Sequence, residues 1–469
     1  MKKIIIASLI LISVVMYFLL SNSINKNESF TLLKKVIPND YKKIIKKYVF
    51  THKEIEKKDI IIEKLNYRND IQRVALNSGL NYLLDLIIKN NLYDLVFTKR
   101  GHIQIDDKSF LTFYFPSQNV LSQGINHSFP GSAFLDFHDD YLFLLSAIGI
   151  TGYAIINDKE EELKFLQIKN NIKDFINEKQ FKKHRWYSTK DLKIFDNKIF
   201  VSYINEVKDG CFNTSIIYAD LIKNSTSEYE ELTFKTFFSP KECVSDSYWE
   251  FNAHQSGGRI INLDNENIIF STGEFRHRNK AQDYKSLLGK TLKINIETKN
   301  YEVLSMGHRN PQGLYYDEEN NFILSTEHGP RGGDEINLIR LNQEKIQNFG
   351  WPVASYGDHY STSTRLDLYP LLKSHKDNGF IEPLKHFVPS IGISEIIGFG
   401  NNKYAYSSLI YKHLNIFKFN EKKNKMEEIK SITVGERIRD VIYKENKLYL
   451  FLEDSASIAI LNNISSITK

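Results

Sequence analysis

The stretch GLYYDEENNFILSTEHG, residues 313–329, contains the pattern that decides the fold. The stretch lies in a region of period-two alternation, and in it an apolar run leads into a turn rich in Asp, Glu and Asn and then into a second apolar run that ends near a glycine. Alternation with a period of two is typical of β-strands, and Asn or Asp tolerates the positive φ of short hairpin turns. The stretch therefore predicts a β-hairpin.

The same pattern occurs six times along the chain. The other five copies are AFLDFHDDYLFLLSAIG from Ala133, LKIFDNKIFVSYI from Leu192, RIINLDNENIIFSTG from Arg259, IIGFGNNKYAYSS from Ile396 and DVIYKENKLYLFLED from Asp440. Their starts are roughly 45 to 85 residues apart, the spacing of propeller blades with inserted loops. This predicts an all-β fold, a six-bladed β-propeller of four-stranded antiparallel blades, because each blade covers its neighbour and no long edge is left exposed.

We expect LYDLVFTKRGHIQI, residues 92–105, to supply the strand that completes the last blade. A β-sandwich of six hairpins is the alternative, and the wide, variable spacing of the hairpins disfavours it.

The N-terminus resembles an export signal. Lys2 and Lys3 precede an uninterrupted apolar run over residues 4–20, longer than a typical signal-peptide core and slightly short for a spanning helix. Ser21 and Ser23 are small enough to flank a cleavage site, so residues 1–23 form either a cleaved signal peptide or a signal anchor. We predict an exported, periplasmic protein, anchored to the inner membrane through this N-terminal hydrophobic helix if it is not cleaved.

A lysine-rich lead over residues 24–85 follows, with Ile and Leu at helical spacing, and predicts a short helical stalk. The propeller then occupies residues 86–469. The formal net charge of +5 comes from the N-terminal part: residues 1–58 hold twelve Lys and four acids, so the remainder is slightly acidic. A basic stripe for nucleic acid is therefore not expected, whereas the lead can meet anionic lipid headgroups.

The chain contains two cysteines, Cys211 and Cys243. An even count in an exported protein favours one disulfide, and two separately buried thiols are the alternative. No C-x-x-C, G-x-G-x-x-G, H-E-x-x-H or G-x-S-x-G motif occurs, so thiol redox, nicotinamide, zinc-protease and α/β-hydrolase chemistry lack support. The GKT at residues 289–291 lacks the preceding glycine of a phosphate loop and predicts a strand entrance.

The densest candidate for a functional site is residues 307–339, followed by NFGWPVASYGDHY at 348–360. Arg309 supplies a planar charged fork and Asn310 a paired donor and acceptor immediately before a hairpin. A Gly/Pro loop leaves the same hairpin, and its free carbonyls, with nearby carboxylates, suit a hard cation. An ordinary turn is the alternative for this loop.

Two further segments precede hairpins. His254, in AHQSGGR, lies ahead of the third hairpin, where a structural histidine is the alternative to a catalytic one. Arg437 and Arg439, ahead of the sixth, point to the same side of a strand and indicate an anion, with a solvated rim as the alternative.

These blocks, HQSGGR, GHRNPQGL, EHGPxGGDEIN, N[YF]GWP and RxRD, occur in the order seen in the soluble glucose/sorbosone dehydrogenases. The resemblance covers about residues 92–461. That family consists of six-bladed propellers that hold pyrroloquinoline quinone (PQQ) and calcium and includes the aldose sugar dehydrogenases. The resemblance implies a sugar dehydrogenase with a small-molecule sugar substrate and an electron acceptor that the sequence does not identify.

By matching motif, His254 would be the general base that takes the proton of the sugar C1 hydroxyl as hydride passes to the quinone. Arg309 and Asn310 would hold the carbonyls of PQQ, and Arg437 and Arg439 would bind its acidic groups.

Lys412 and Tyr360 are two further cofactor contacts that the resemblance implies. The carbonyls of Gly329 and Pro330 would bind the calcium that polarises the quinone.

Glu335, the carbonyl of Phe349 and Asp358 resemble a second, structural calcium site. The loop before Asn348 is four residues longer than in the family.

The sequence departs from the family at the sugar-facing half of the site. Ala253 stands where the soluble glucose enzyme has Asp, Phe275 follows Gly273–Glu274 where it has Gln, and an early Gln-Gly-Gly-Leu block is replaced around residues 130–132. These departures motivate an alternative function, a non-catalytic propeller that binds carbohydrate or protein.

Overall fold

Strands dominate the described part of the chain. The computed structural model describes residues 95–116, 132–157, 159–176, 180, 187–225, 227–360 and 369–468. The helices in these ranges are short. They include an α-helix, α1 (Ile464–Ile467), and the 3-10 helices Ile172–Asp174, Arg278–Gln282, Lys376–Asn378 and Glu421–Lys423. The predicted all-β class is therefore confirmed.

The predicted N-terminal helix and lysine-rich lead, residues 1–23 and 24–85, lie outside the described residues. Within the described ranges, no helix is long and apolar enough to cross a membrane.

The strands of the described ranges form five sheets. The largest contains ten strands: β1 (Leu95–Gln104), β2 (Phe110–Pro116), β3 (Ala133–His138), β4 (Tyr141–Ser146), β5 (Thr151–Ile155), β6 (Glu162–Asn170), β10 (Glu231–Leu232), β26 (Ile438–Lys444), β27 (Lys447–Leu452) and β28 (Ser457–Leu461). The second contains β7 (Thr189–Phe195), β8 (Lys198–Lys208), β9 (Cys211–Asp220), β11 (Lys235–Phe238) and β12 (Val244–Ser245).

The other three sheets lie between these in the chain. The third contains β13 (Gly257–Asn262), β14 (Asn267–Thr272), β15 (Lys290–Asn295), β16 (Tyr301–Met306) and β20 (Gln347–Asn348). The fourth contains β17 (Pro311–Asp317), β18 (Phe322–Glu327), β19 (Asp334–Arg340) and β21 (Lys385–Phe387). The fifth contains β22 (Ile393–Gly398), β23 (Lys403–Ser408), β24 (His413–Asn420) and β25 (Lys425–Thr433).

All six predicted hairpins form as antiparallel pairs: β3–β4, β7–β8, β13–β14, β17–β18, β22–β23 and β26–β27. In several turns an acidic or amide residue takes the left-handed conformation, as at Asp139 (φ 51°), Asn197 (φ 54°), Asn321 (φ 53°) and Asn446 (φ 63°). The turn chemistry therefore works as the sequence predicts.

The strand that completes the last hairpin is not the one expected. β28 pairs with β2, whereas β1, which lies within the predicted segment 92–105, pairs with β2 and β6. β1 therefore joins the first and last hairpins into one ten-stranded sheet. The prediction was wrong by one strand because β1 and β2 are both apolar, and the sequence pattern does not reveal which one pairs with the C-terminal strand.

The first strands of the six hairpins pack against one another in a closed cycle. β3 contacts β7, β7 contacts β13, β13 contacts β17, β17 contacts β22, β22 contacts β26, and β26 returns to β3. We call this cycle the inner ring.

Buried carboxylates tie successive strands of the inner ring together. Asp136 accepts a hydrogen bond from the backbone N–H of Ile194, and Asp191 accepts one from Ile260, each at 2.7 Å. Asp440 accepts one from Leu135, also at 2.7 Å, across the junction between the last and first hairpins. Buried backbone donors need such partners, so the acidic residues of the ring are structural.

Apolar clusters fill the spaces between neighbouring sheets. Phe200 of β8 and Phe270 of β14 are fully buried in the cluster between the second and third sheets. Leu324 of β18 and Phe417 of β24 are fully buried between the fourth and fifth. Both faces of a sheet are thus covered, which removes its apolar area from water.

Cys211 and Cys243 form a disulfide with Cα atoms 5.5 Å apart. The bridge links the start of β9 to the segment that leads into β12. Of the two alternatives from the sequence, the disulfide is therefore the one observed.

Candidate active site

Several of the predicted site residues lie at one end of the inner ring. In an antiparallel hairpin the start of the first strand and the end of the second lie side by side. In each hairpin, the loop before the first strand therefore lies at the same end as the residues that follow the second strand. This holds for β13 and β14, for β17 and β18, and for β26 and β27. His254, Arg309 and Arg437 lie on the first set of segments, and Glu274 and Glu453 on the second.

His254 lies among cationic groups at this end. Although its side chain is exposed, the surrounding protein, then His328, Lys190, Arg309 and Arg439, hold the pKa of its imidazole well below the ordinary value. The imidazole is therefore neutral at neutral pH, the form that accepts a proton.

Glycines let the His254 loop pack against its neighbours. At Gly257 (φ +62°) a Cβ would lie 2.7 Å from the backbone nitrogen of Gly273, and at Gly273 it would lie 2.3 Å from the carbonyl oxygen of Gln255. The N–H of Gly257 donates to Oδ1 of Asn310 at 3.1 Å. The close backbone approach explains both glycines and couples the His254 loop to Asn310.

A buried carboxylate shapes the HRN segment. Glu327, at the end of β18, accepts a hydrogen bond from the backbone N–H of Arg309 and another, at 3.2 Å, from that of Asn310. Its other oxygen lies 2.9 Å from Nδ1 of His308. The N–H groups before β17 are therefore satisfied, and the two side chains are held at the strand entrance.

The Arg309 guanidinium is held on several sides. Nη1 donates to the carbonyl of His328 at 2.9 Å, and Cζ lies 5.3 Å from the centroid of the Trp351 ring. With its amide oriented so that both atoms have partners, Gln255 accepts from Arg309 Nη2 at 2.8 Å and donates to Glu274. Burial outweighs the Arg309 charge and raises the pKa of Glu274 to about 8, so this carboxyl is neutral at pH 7.

The anion that faces Arg437 and Arg439 belongs to the chain itself. Arg437 Nε lies 2.8 Å from Oε2 of Glu453, and Arg439 Nη2 lies 2.9 Å from Oε1. Burial would raise the pKa of Glu453, but Arg439 and Arg437 outweigh it and lower that pKa to about 2. Both arginines point to one side, as their spacing predicts, and neither is a solvated rim residue.

Lys412 and Tyr360, the other expected cofactor contacts, differ in their surroundings. Lys412 Nζ lies 2.7 Å from Oδ2 of Asp454, so this cation also has an internal partner. Tyr360 is half exposed, and it lies close enough to Arg309 to act on the pKa of that guanidinium.

The first expected calcium ligands are backbone carbonyls. Within the described ranges, the carbonyl oxygens of Gly329 and Pro330 accept no hydrogen bond. The side chain of Asp334 in the same loop is already used, since it accepts from the N–H groups of Gly329, Gly392 and Ile393.

The residues expected at a second calcium site do not share one cation-binding arrangement. Glu335 is buried, with Oε1 3.4 Å from Nε2 of His375, and burial raises its pKa well above the ordinary value. The backbone of Phe349 is close enough to act on the pKa of His375. The carboxylate of Asp358 instead binds Lys373 at 2.8 Å and is exposed. Among the described residues no cluster of His, Cys, Asp and Glu suits a metal ion.

Two of the three departures from the family are core residues. Ala253 and Phe275 are buried in one apolar cluster with Phe212 and Leu288. They therefore replace polar groups by packing beneath the His254 loop.

Sequence reasoning missed several residues of this end, namely Gln255, Arg259, Glu274, Gln312, Glu453 and Asp454. One signal was present for Glu453 and Asp454: they directly follow the second strand of the sixth hairpin, at the end where its first strand carries RxRD. The position of an acid after a strand can be read from sequence, but its pairing with an arginine cannot.

Fold and site together define an all-β protein whose strand-end loops hold a neutral histidine amid arginines and lysines, a class suited to an anionic ligand. The chain belongs to the glucose/sorbosone dehydrogenase family, because the model of that family matches residues 194–462, more than half of the sequence.

Individual relatives support this membership. Over 282 residues the chain is 27% identical to the aldose sugar dehydrogenase YliI of Escherichia coli, covering 55% of this chain and 71% of that one. It is 30% identical over 218 residues to the uncharacterized protein slr1608 of Synechocystis, covering 39% of this chain and only 50% of the relative.

A solved structure supports the fold. The PQQ-bound form of the aldose sugar dehydrogenase from Streptomyces coelicolor superposes with a TM-score of 0.52 at 17% identity, covering 76% of this chain and 99% of that one.

Proposed function

We propose that this protein is an exported, PQQ- and calcium-dependent sugar dehydrogenase of the aldose type, built on a six-bladed β-propeller. The observation that carries the proposal is His254, a neutral base that lies among Arg309, Arg439 and Lys190 at one end of the inner ring.

The six-blade architecture is inferred from the inner ring. Six hairpins supply its six strands. The ten-stranded sheet divides into two four-stranded blades, the linking strand β1 between them, and the short strand β10, which pairs with β6. A closed ring of this kind leaves no long exposed edge.

The charges at this end fit an anionic cofactor. Arg309, Lys190, Lys412, Arg437 and Arg439 outnumber the paired carboxylates Glu453 and Asp454, while Glu274 is neutral at pH 7. Nε of Arg439 and Nε2 of His328 are buried atoms for which the described residues supply no hydrogen-bond partner. Buried polar atoms of this kind indicate a ligand, because leaving them unpaired costs free energy.

In this arrangement Arg309, Asn310 and Arg439 would hold PQQ, with Lys412 and Tyr360 at its margin. When bound, PQQ supplies a two-electron acceptor for the hydride that leaves the sugar carbon. His254 takes the proton of the hydroxyl on the same carbon, so that hydride and proton leave together and a carbonyl group forms. The nearby guanidinium groups favour the additional negative charge.

The carbonyls of Gly329 and Pro330 would hold the calcium beside the cofactor, because hard cations prefer oxygen ligands. The second calcium site does not fit the residues present, since Asp358 is paired with Lys373 and Glu335 faces His375. We therefore derive no role for a second ion.

A non-catalytic binding propeller is the second candidate function. It is favoured by the internal pairing of Arg437 and Arg439 with Glu453 and of Lys412 with Asp454, which occupies groups expected to bind cofactor.

The deciding experiment adds PQQ and Ca²⁺ to purified protein and follows dye reduction over a panel of aldoses and polyols. We expect catalysis by the wild type, a loss of at least about a hundredfold for His254→Ala, and no loss for His102→Ala, an exposed histidine on β1. Full activity of His254→Ala would refute the assigned base. Absence of PQQ binding by a folded wild type would favour the binding propeller.

A further inference from the structure

One side chain of the inner ring contacts the other five strands of the ring. Arg259, on β13, is buried, and its guanidinium projects into the middle of the ring. Nη1 lies 2.8 Å from carboxylate oxygens of Asp191 (β7) and Glu395 (β22) and 2.7 Å from one of Asp440 (β26). The Phe134 ring of β3 lies 5.3 Å from Cζ.

The remaining donors of Arg259 bind backbone carbonyls. Nε donates to the carbonyl of Gln312 on β17 at 2.5 Å, and Nη2 donates to that of Arg439 on β26 at 3.2 Å. One guanidinium therefore fixes β17 and β26 relative to β13.

Both carbonyls belong to residues whose side chains reach the candidate active site. Arg439 Nη1 donates to Oε1 of Gln312 at 3.2 Å, and Gln312 Nε2 donates to Oδ1 of Asn310 at 3.1 Å. A continuous chain of hydrogen bonds thus runs from Arg259 through Gln312 to Asn310 and Arg439. A change in the strand spacing beneath them would move both groups.

We propose that Arg259 is a positioning residue that sets the distance between Asn310 and Arg439, and through it the affinity for the anionic cofactor. The inference rests on the proposed function, since that function makes Asn310 and Arg439 cofactor ligands. Arg259 itself lies beneath the site, with its guanidinium engaged by three carboxylates and two carbonyls.

The chemistry requires arginine at this position. A guanidinium presents five donors in a fixed plane, so it can bind carboxylates on one side and two separate carbonyls on the other. A lysine would keep the charge among the carboxylates but, as a compact ammonium group, could not reach both carbonyls. Glutamine would lose the charge and most of the donors.

The test compares Arg259→Lys and Arg259→Gln with a matched control, Arg340→Lys, whose side chain is partly exposed and pairs with Glu421 at 2.9 Å. Two readouts are used: hydrogen exchange of segments 309–316 and 436–442, and the dissociation constant for PQQ in the presence of Ca²⁺. We expect Arg259→Lys to exchange faster in these two segments but not in β24, and to bind PQQ at least tenfold more weakly. Arg340→Lys should match the wild type.

A uniform rise of hydrogen exchange over the chain, with unchanged PQQ affinity, would overturn the proposal. Failure of both Arg259 variants to fold would also overturn it. Either result would give Arg259 a purely structural role. If the folded wild type binds no PQQ, the proposed function fails, and the exchange pattern alone still decides whether Arg259 positions the two segments.

Discussion

At the residue scale, the protonation of His254 follows from its neighbours. A further positive charge on the imidazole is opposed by the surrounding protein, which partly desolvates the ring, and by the charges of His328, Lys190, Arg309 and Arg439. A base that stays unprotonated below its ordinary pKa can act over a wider acid range, although it is a weaker base.

The lowered pKa of His254 leads to a prediction for the pH dependence of catalysis. Because the pKa of His254 is lowered, we expect the acid limb of the kcat/KM profile to lie well below pH 6.5. Lys190→Met removes one nearby charge and should move that limb to higher pH, because less repulsion opposes protonation. Lys164→Met, which removes an exposed lysine paired with Glu162 on β6, is the control and should leave the profile unchanged. An acid limb at pH 6.5 or above in the wild type would contradict the prediction.

Individual side chains also show where sequence reasoning stops. The alternation in RxRD correctly places Arg437 and Arg439 on one side, because the direction of side chains along a strand is local. That Glu453 lies between them depends on the pairing of β26 with β27 and on the register of that pair. Lys290 of the GKT segment is a similar case. β15 begins at this lysine, as the sequence predicts. Its ammonium group donates to three backbone carbonyls, and these contacts depend on the tertiary fold and cannot be read from the sequence.

At the scale of elements, hairpins are the part of the fold that the sequence predicts best. A turn such as that at Asn321 needs only local chemistry, a positive φ between two apolar strands. The strand that pairs with the C-terminal strand β28 is set by long-range contacts. Both β1 and β2 are apolar enough to pair with β28, so their sequences do not distinguish them.

The disulfide joins the start of β9 to the segment before β12, and we expect it to stabilise the folded protein. It closes a loop with a sequence separation of 32 residues. Loop-closure entropy for a separation of this size corresponds to about 3 to 4 kcal/mol. We expect the Cys211→Ala/Cys243→Ala variant to lose about this much free energy of unfolding, measured by urea denaturation. Reductant should destabilise the wild type and leave the double variant unchanged, and equal stability of the two proteins without reductant would count against the prediction.

At the scale of the whole molecule, the inner ring concentrates more acid than base. Asp136, Asp191, Glu395 and Asp440 face two cations, Lys193 and Arg259. Burial, only partly offset by Arg259, raises the pKa of Asp191 to about 7, and burial also raises that of Glu395 well above the ordinary value. The folded protein therefore binds protons on Asp191 and Glu395 at pH values where the same carboxyl groups of the unfolded chain are ionised.

This proton uptake predicts how stability depends on pH. The pKa of Asp191 is about 7 in the folded protein and close to 3.8 in the unfolded chain, so between these values the folded state holds the extra proton. Stability should then fall as pH rises from about 4 to 7 and level off above, by at most about 4 kcal/mol for this group. Asp191→Asn removes the titrating carboxyl and should flatten that slope, whereas Asp377→Asn, at an exposed aspartate, should keep it. Free energies of unfolding from urea titrations at several pH values measure the slope. A wild type whose stability rises over this range, or an Asp191→Asn variant with the wild-type slope, would show that the ring does not take up this proton on folding.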